Sequence, residues 1–210
     1  MHEDDDPPGD PACHAHKIIG GHLIDEQTYL DVRQFRKSER ERLYQKRRQQ
    51  GQSDRQTATS ALIARLREVL TDRQFETIAV YWPIRGEPDL RPLMTELYGA
   101  GKKVLLPVVL ERKAPLIFRP WSPGCEMIRG TWNILVPANG PPQHPQIVIA
   151  PVVGIDKDLY RLGNGGGYYD RTLASMNAKP LVVGVGFAFS QIETIFPMAW
   201  DLPMDMAILA

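Results

Sequence analysis

A glycine-rich run between two arginines is the part of the sequence whose residue types best suit phosphate binding. It reads Arg-Leu-Gly-Asn-Gly-Gly-Gly-Tyr-Tyr-Asp-Arg from Arg161 to Arg171. Its glycines permit positive φ and a close approach to a ligand, and successive N–H groups can surround an anion. The two arginines can add charge-assisted donors, and Asp170 is the hard oxygen ligand that Mg²⁺ prefers. The glycines are Gly163, Gly165, Gly166 and Gly167.

The same run matches neither of the two common phosphate-binding motifs. It is not the G-x-x-x-x-G-K-[ST] phosphate loop, and it is not a proper G-x-G-x-x-G dinucleotide fingerprint. A cluster of glycines can also be a tight turn between a strand and a helix. Composition alone therefore favours phosphate binding but leaves the plain turn open.

The elements around this loop alternate between short apolar runs and helical segments. Residues 147–150 form a continuous apolar strand ahead of the loop, and a helix follows the loop through Ala174. Continuous apolar strands are typical of a parallel sheet covered on both faces, whose ligands bind at the carboxyl ends of the strands. The sequence predicts a three-layer α/β/α single domain with a mostly parallel sheet, preceded by N-terminal helices. The other predicted strands are 77–82, 103–109, 116–119, 180–186 and 207–209, and the other helices are 25–48, 57–70 and 90–99.

Net charge, hydropathy and composition limit the classes of partner and the cellular location that the sequence allows. The chain has 210 residues and a formal net charge of zero, so no overall field attracts nucleic acid. No apolar run approaches the roughly 20 residues of a membrane helix, and the acidic start is unlike a signal peptide. Residues 1–24 are rich in Asp, Pro, Gly and His, so we expect a disordered acidic tail ahead of a domain at 25–210. These features predict a cytoplasmic protein, with Cys13 and Cys125 reduced.

The amino-acid sequence of the loop closely resembles the signature of the 5-formyltetrahydrofolate cyclo-ligase family, also called methenyltetrahydrofolate synthetases. The resemblance extends over roughly residues 36–205, and the loop is its most specific part. It implies a three-layer α/β fold and an ATP-dependent reaction with Mg²⁺, in which 5-formyltetrahydrofolate becomes 5,10-methenyltetrahydrofolate. It also implies that folate and ATP are the partners. The implied phosphate-binding residues in the loop are Arg161, Gly163, Asn164, Gly165, Gly166, Gly167 and Tyr168.

The resemblance assigns a phosphate clamp to the first helix. Arg36 and Arg40 look like the family's pair of basic residues one turn apart, and their i, i+4 spacing puts them on one helix face. Arg33 with Arg36 is the alternative register. A solvated charged face is the competing interpretation.

The resemblance likewise implies a folate site and a metal pair. Glu87 follows a strand end, where its carboxylate can accept hydrogen bonds from a pterin. Asp201 would hold Mg²⁺ together with Asp170. A surface acid and a turn residue are the competing interpretations for Glu87 and Asp201, and core packing competes for the aromatic residues. The aromatic candidates for folate are Tyr81, Trp132, Tyr168 and Tyr169.

Two positions of the loop depart from the family pattern. Two other functions remain open. Asn164 stands where many relatives have Arg, and Gly166 where some have Lys, so one or two phosphate donors are absent. A non-catalytic relative that binds folate or nucleotide is therefore one alternative. A sugar-phosphate isomerase-like enzyme on a similar fold is the other. We expect a monomer, and no catalytic nucleophile is assigned.

Overall fold

The computed structural model describes residues 16–19 and 21–210, and a six-stranded sheet is their centre. The twelve strands of this part of the chain are β1 (His16–Ile19), β2 (His22–Asp25), β3 (Thr77–Ala79), β4 (Lys103–Val108), β5 (Ile117–Trp121), β6 (Met127–Arg129), β7 (Leu135–Pro137), β8 (Ile147–Pro151), β9 (Gly154–Ile155), β10 (Arg161–Leu162), β11 (Leu181–Gly186) and β12 (Met206–Leu209). The α-helices are α1 (Glu26–Gln49), α2 (Gln52–Thr71), α3 (Arg91–Gly99) and α4 (Tyr168–Ser175).

The central sheet has the strand order β12-β11-β8-β3-β4-β5. All neighbouring pairs are parallel except β4 with β5. In β8, four successive residues from Ile147 to Ala150 are buried, as a strand covered on both faces requires. The predicted α/β class and mostly parallel sheet are confirmed.

Helices cover both faces of this sheet. Alternate residues of β8 divide between the faces, because successive side chains of a strand point in opposite directions. Ile149 packs in the core shared with Leu66 of α2 and Leu93 of α3. Val148 packs in the core shared with Leu173 of α4. The three predicted layers are therefore present.

Helix α1 lies across the ends of the sheet strands rather than deep in either layer. Its N-terminus is capped by Asp25, whose carboxylate accepts from the N–H of Thr28 at 2.7 Å. Its Leu43 packs with Val153, which precedes the short β9–β10 ladder, and with Leu162, which belongs to that ladder. The same ladder leads directly into the glycine-rich loop, so α1 and the loop are held against each other.

The structure changes several predicted boundaries. Helix α2 begins at Gln52 with Gly51 as its N-cap, five residues before the predicted start, because the polar stretch after Gly51 already has helical geometry. The strand predicted at 77–82 ends at Ala79. The hairpin of β1 and β2 is an addition within the predicted tail, and the rest of that tail, with Cys13 and His14, lies outside the described residues. None of the helices in the described part combines the length and apolar character needed to cross a membrane.

The core between α2 and the sheet generates a stability prediction. Leu66 is 0% exposed, so Leu66→Ala removes buried methyl groups and leaves a cavity. We expect the free energy of unfolding to fall by ~2–5 kcal/mol, measured by urea denaturation. Leu110, which is 64% exposed, gives the matched control, and Leu110→Ala should change it by less than about 0.5 kcal/mol. Equal losses in both variants would contradict this assignment of the core.

Candidate active site

One cavity at the carboxyl ends of β3 and β8 gathers all the residues predicted to bind ligands except Arg33 of the alternative register. Its volume is about 1010 Å³. Arg33 is exposed and lies outside its lining, so of the two registers on α1 the structure brings Arg36 and Arg40 to the cavity. The predicted residues that line it are Arg36, Arg40, Tyr81, Glu87, Trp132, Arg161, Gly163, Asn164, Gly165, Gly166, Gly167, Tyr168, Tyr169, Asp170 and Asp201.

The glycine-rich loop offers its backbone donors to this cavity. Within residues 16–19 and 21–210, no protein oxygen accepts a hydrogen bond from the N–H groups of residues 163–167. The loop runs into the N-terminus of α4, where the first-turn N–H groups also have no helical partner. Gly165 has φ +94° and Gly167 has φ +62°, which are left-handed values that glycine adopts without strain. This arrangement is a cradle for an anion.

Gly163 and Gly166 of the loop are required because any side chain at these positions would clash with a neighbour. Gly163 and Gly166 do not have positive φ. A Cβ at Gly166 would lie 2.6 Å from the ring of Tyr168, and a Cβ at Gly163 would overlap the Arg161 guanidinium. Both glycines therefore let large side chains lie against the loop.

Three arginines bring positive charge to the same cradle. Arg40 donates from Nε to the carbonyl of Gly163 at 2.7 Å, and its guanidinium lies beside Gly165. Burial lowers the pKa of Arg40, and the charges of Arg36 and Arg161 lower it further. Cations that repel one another in a partly buried cluster are stabilised by an anion. Because Asp201 and Asp170 already pair with Arg36 and Arg161, the remaining positive charge favours an anionic ligand.

The two predicted metal-binding carboxylates are each paired with an arginine. Asp201 accepts from the guanidinium of Arg36, which also donates to the carbonyls of Ile195 and Phe196 at 2.8 Å each. Asp170 accepts from Arg161 Nη2 at 3.0 Å. In the described part of the chain, no group of three or more His, Cys, Asp or Glu side chains could hold a metal. These carboxylates alone therefore do not make a complete metal site.

Glu87 is a buried acid that lines the cavity beside Asn164 of the loop. It is 8% exposed and accepts from the N–H of Ile84 at 3.0 Å. Burial raises the pKa of Glu87 to about 7, although the Ile84 N–H, Arg47, Asn164 and Arg85 all act to lower it. The side chain therefore lies near its titration point at neutral pH and is suited to pairing with polar N–H groups of a ligand.

Asn164 connects the loop to the Glu87 side of the cavity. The hydroxyl of Tyr44 donates to the Asn164 side-chain oxygen, and Arg85 Nη1 donates to that hydroxyl at 3.3 Å. The Asn164 amide also stabilises the ionised form of Glu87. Asn164 therefore contacts both α1 and the acid Glu87.

The aromatic candidates occupy different environments. Tyr81 is buried and donates its hydroxyl to the carbonyl of Pro88 at 2.8 Å, so only its ring remains available to a ligand. Trp132 is 56% exposed, has φ 56°, and meets Tyr168 edge-on at 5.3 Å between ring centroids. Tyr169 is half-buried, 5.0 Å below the Arg161 guanidinium. Trp132 and Tyr168 are thus the aromatic pair open to the cavity.

The sequence pattern missed Arg47, a buried arginine behind the site. It is 2% exposed and donates from Nη2 to the carbonyl of Val152 at 3.0 Å, while its Nε and Nη1 have no hydrogen-bond partner among the described residues. Its aliphatic stem packs below Gly86, in the turn that carries Glu87. In the sequence it lies within a dense run of charges on α1, and only its apolar neighbour Leu43 on the same helix face signalled burial.

Comparisons with known proteins point to one family. The family model described as 5-formyltetrahydrofolate cyclo-ligase matches residues 32–210. The chain is 31% identical over 163 residues to the 5-formyltetrahydrofolate cyclo-ligase of Haemophilus influenzae, covering 74% of this chain and 84% of that one. It is 33% identical over 139 residues to the Escherichia coli K12 protein of the same name, covering 63% and 76% respectively.

Solved structures give the same answer for the fold. The 5,10-methenyltetrahydrofolate synthetase of Aquifex aeolicus superimposes with a TM-score of 0.72 at 30% identity, covering 83% of this chain and 89% of that one. A 5,10-methenyltetrahydrofolate synthetase from Mycoplasma pneumoniae superimposes with a TM-score of 0.69, covering 82% and 97%. At 23% identity this second similarity concerns the fold alone.

The buried acid generates a prediction of pH-dependent stability. The carboxyl of Glu87 has an ordinary pKa of 4.5 when unfolded and about 7 when folded. Between these values the folded protein keeps a proton that the unfolded chain loses, so the free energy of unfolding falls as the pH rises. Glu87→Gln abolishes this titration. We expect its stability relative to wild type to increase by up to ~3 kcal/mol from pH 5 to pH 8, measured by urea denaturation.

Glu68→Gln is the matched control, because Glu68 is an exposed glutamate on α2. Its difference from wild type should be the same at both pH values. A Glu87→Gln difference that is also independent of pH would disprove the perturbed titration.

Proposed function

The chain belongs to the 5-formyltetrahydrofolate cyclo-ligase family, and on that premise we propose that it uses ATP to close the ring of 5-formyltetrahydrofolate. The products are 5,10-methenyltetrahydrofolate, ADP and phosphate. The observation that carries the proposal is the pairing, in one cavity, of a loop with unused N–H groups and a buried acid. The loop suits the phosphates of ATP, and Glu87 suits the polar N–H groups of the pterin.

The proposed chemistry begins with phosphoryl transfer. The formyl oxygen attacks the γ-phosphorus of ATP, the bond to the bridging oxygen breaks, and ADP leaves. N10 then attacks the formyl carbon, the carbon–oxygen bond breaks, and the former formyl oxygen departs as part of phosphate. The N10 proton is also lost, and it balances as the proton of the released hydrogen phosphate. Each step joins groups held close together, so positioning supplies much of the rate enhancement.

The side chains around the loop have clear roles in this scheme. Arg40, Arg161 and the N–H groups of residues 163–167 neutralise the charge of the phosphates in a partly buried site. Glu87 accepts from the pterin and fixes its orientation. Trp132 and Tyr168 offer ring surface to the folate at the open side of the cavity. The enzyme needs no covalent nucleophile for this reaction.

Mg²⁺ fits the site only together with the nucleotide. Asp170 and Asp201 are the residues that would hold it, and two carboxylates with substrate phosphates are a usual set of ligands for this ion. Arg161 and Arg36 now pair with these carboxylates and would redirect their donors to phosphate oxygens. When bound, the ion would supply charge neutralisation between the phosphates.

The activity itself is the first test. The methenyl product absorbs near-ultraviolet light that the formyl substrate does not. Purified protein with 5-formyltetrahydrofolate, Mg²⁺ and ATP should give a steadily rising absorbance, and omission of ATP should abolish it. Binding of 5-formyltetrahydrofolate without turnover, by protein that unfolds cooperatively, would instead support a non-catalytic binding protein.

The phosphate clamp provides the second test. Arg40→Gln removes one charge-assisted contact, so we expect the KM for ATP to rise by about tenfold or more. The KM for 5-formyltetrahydrofolate should change by less than about twofold. Arg33→Gln is the matched control, since it removes an equal charge from the exposed side of the same helix. An equal rise in the KM for ATP in both variants would mean that general charge, rather than the clamp, determines nucleotide affinity.

A further inference from the structure

Helix α1 arranges the contacts of the cavity in a fixed order along its axis. Near its C-terminus, Tyr44 bonds to Asn164, next to the Glu87 side. One turn earlier, Arg40 contacts the glycine-rich loop, and Arg36 pairs with Asp201 one turn before that. Tyr29 lies seven residues before Arg36, roughly 10 Å away at the usual helical rise, and it still lines the same cavity. The cavity therefore continues past the arginines, away from Glu87.

This far end of the cavity is apolar and aromatic. Ile19 of β1, Tyr29 of α1 and Trp200 line it, and all three are half-buried. The Tyr29 and Trp200 rings meet edge-on, with centroids 6.3 Å apart and planes at 73°. His22 approaches Trp200 at 51°, with centroids 6.2 Å apart. Because neither neighbour is parallel to the indole, neither one stacks on its flat face.

Part of this end comes from residues that precede the region shared with the family. The family model begins at residue 32, whereas Ile19 and Tyr29 come earlier in the chain. The β1–β2 hairpin is connected directly to α1 through the Asp25 cap. Residues that precede the family region therefore contribute side chains to the lining of the cavity.

We propose that Ile19, Tyr29 and Trp200 form the subsite for the planar purine base of the nucleotide. The inference rests on the proposed function, in which the γ-phosphate must meet a folate held at the Glu87 side. The rest of the nucleotide then extends past Arg40 and Arg36, and its base reaches the aromatic end. Flat aromatic bases bind by stacking and apolar contact, which these side chains provide. None of the three carries a charge that would pair with the anionic glutamate tail of a folate.

The test compares ligands with and without a base. Tyr29→Ala in the full chain should weaken binding of ADP by about tenfold, measured by isothermal titration calorimetry with Mg²⁺ present. Binding of pyrophosphate and of 5-formyltetrahydrofolate should change by less than about twofold. Tyr29→Leu keeps apolar volume on the helix but lacks the ring, so it should weaken ADP binding selectively as well. Tyr29→Phe keeps the ring and should bind ADP nearly as wild type does.

Tyr98→Ala is the matched control, because Tyr98 is an exposed tyrosine on α3 that does not line the cavity. It should leave all three affinities unchanged. Unchanged ADP binding in Tyr29→Ala and Tyr29→Leu would overturn the base subsite, as would equal losses for ADP and pyrophosphate. A selective loss of 5-formyltetrahydrofolate binding would assign this end to the folate tail instead and also overturn it. Wild-type protein that binds neither ADP nor pyrophosphate and lacks turnover would overturn the proposed function with it.

Discussion

Two arginine side chains hold carbonyl oxygens of the glycine-rich loop, while its N–H groups face a possible anion. Arg40 of α1 holds the Gly163 carbonyl, and Arg171 of α4 holds the Gly166 carbonyl. A backbone whose acceptors are fixed in this way presents its donors in one direction without further ordering. The position of α1 across the strand ends, set by Leu43 in its small core, is thus a condition for the site.

The Glu87 side obeys a different constraint, which is the cost of burying charge. A buried carboxylate is tolerated when donors and a cation lie close to it, and Ile84 N–H and Arg47 fill these roles. Within residues 16–19 and 21–210, the Nε and Nη1 of Arg47 have no hydrogen-bond partner, so the burial of this arginine is not fully compensated. An incompletely satisfied polar cluster next to a cavity is typical of a binding site rather than of a structural core. Close packing alone would favour apolar side chains at these positions, so the buried polar groups of Glu87 and Arg47 point to binding.

Much of this architecture follows from the sequence, for local reasons. The apolar run at 147–150 predicts a buried parallel strand, and the loop after it predicts an anion cradle, because both signals lie in neighbouring residues. Arg36 and Arg40 are predictable from helical spacing once α1 is recognised. The burial of Arg47 is not, because it depends on where α1 crosses the sheet. The antiparallel β5 could be predicted locally, because only eight residues separate it from β4, too few for the crossover of a parallel pair. The positive φ of Trp132 could not, because tryptophan rarely adopts this conformation.

The ion pair of Arg36 with Asp201 joins residues that are 165 positions apart in the chain. A cavity lined by both residues exists only after the polypeptide between them has adopted its native arrangement. A nucleotide that needs this cavity would therefore bind the folded state and ignore partly folded ones. By mass action it would add RT ln(1 + [L]/Kd) to the folding equilibrium, about 2.7 kcal/mol at a hundred times its dissociation constant. Saturating nucleotide would therefore lower the fraction of unfolded chain and protect the protein against proteases that cleave its unfolded form.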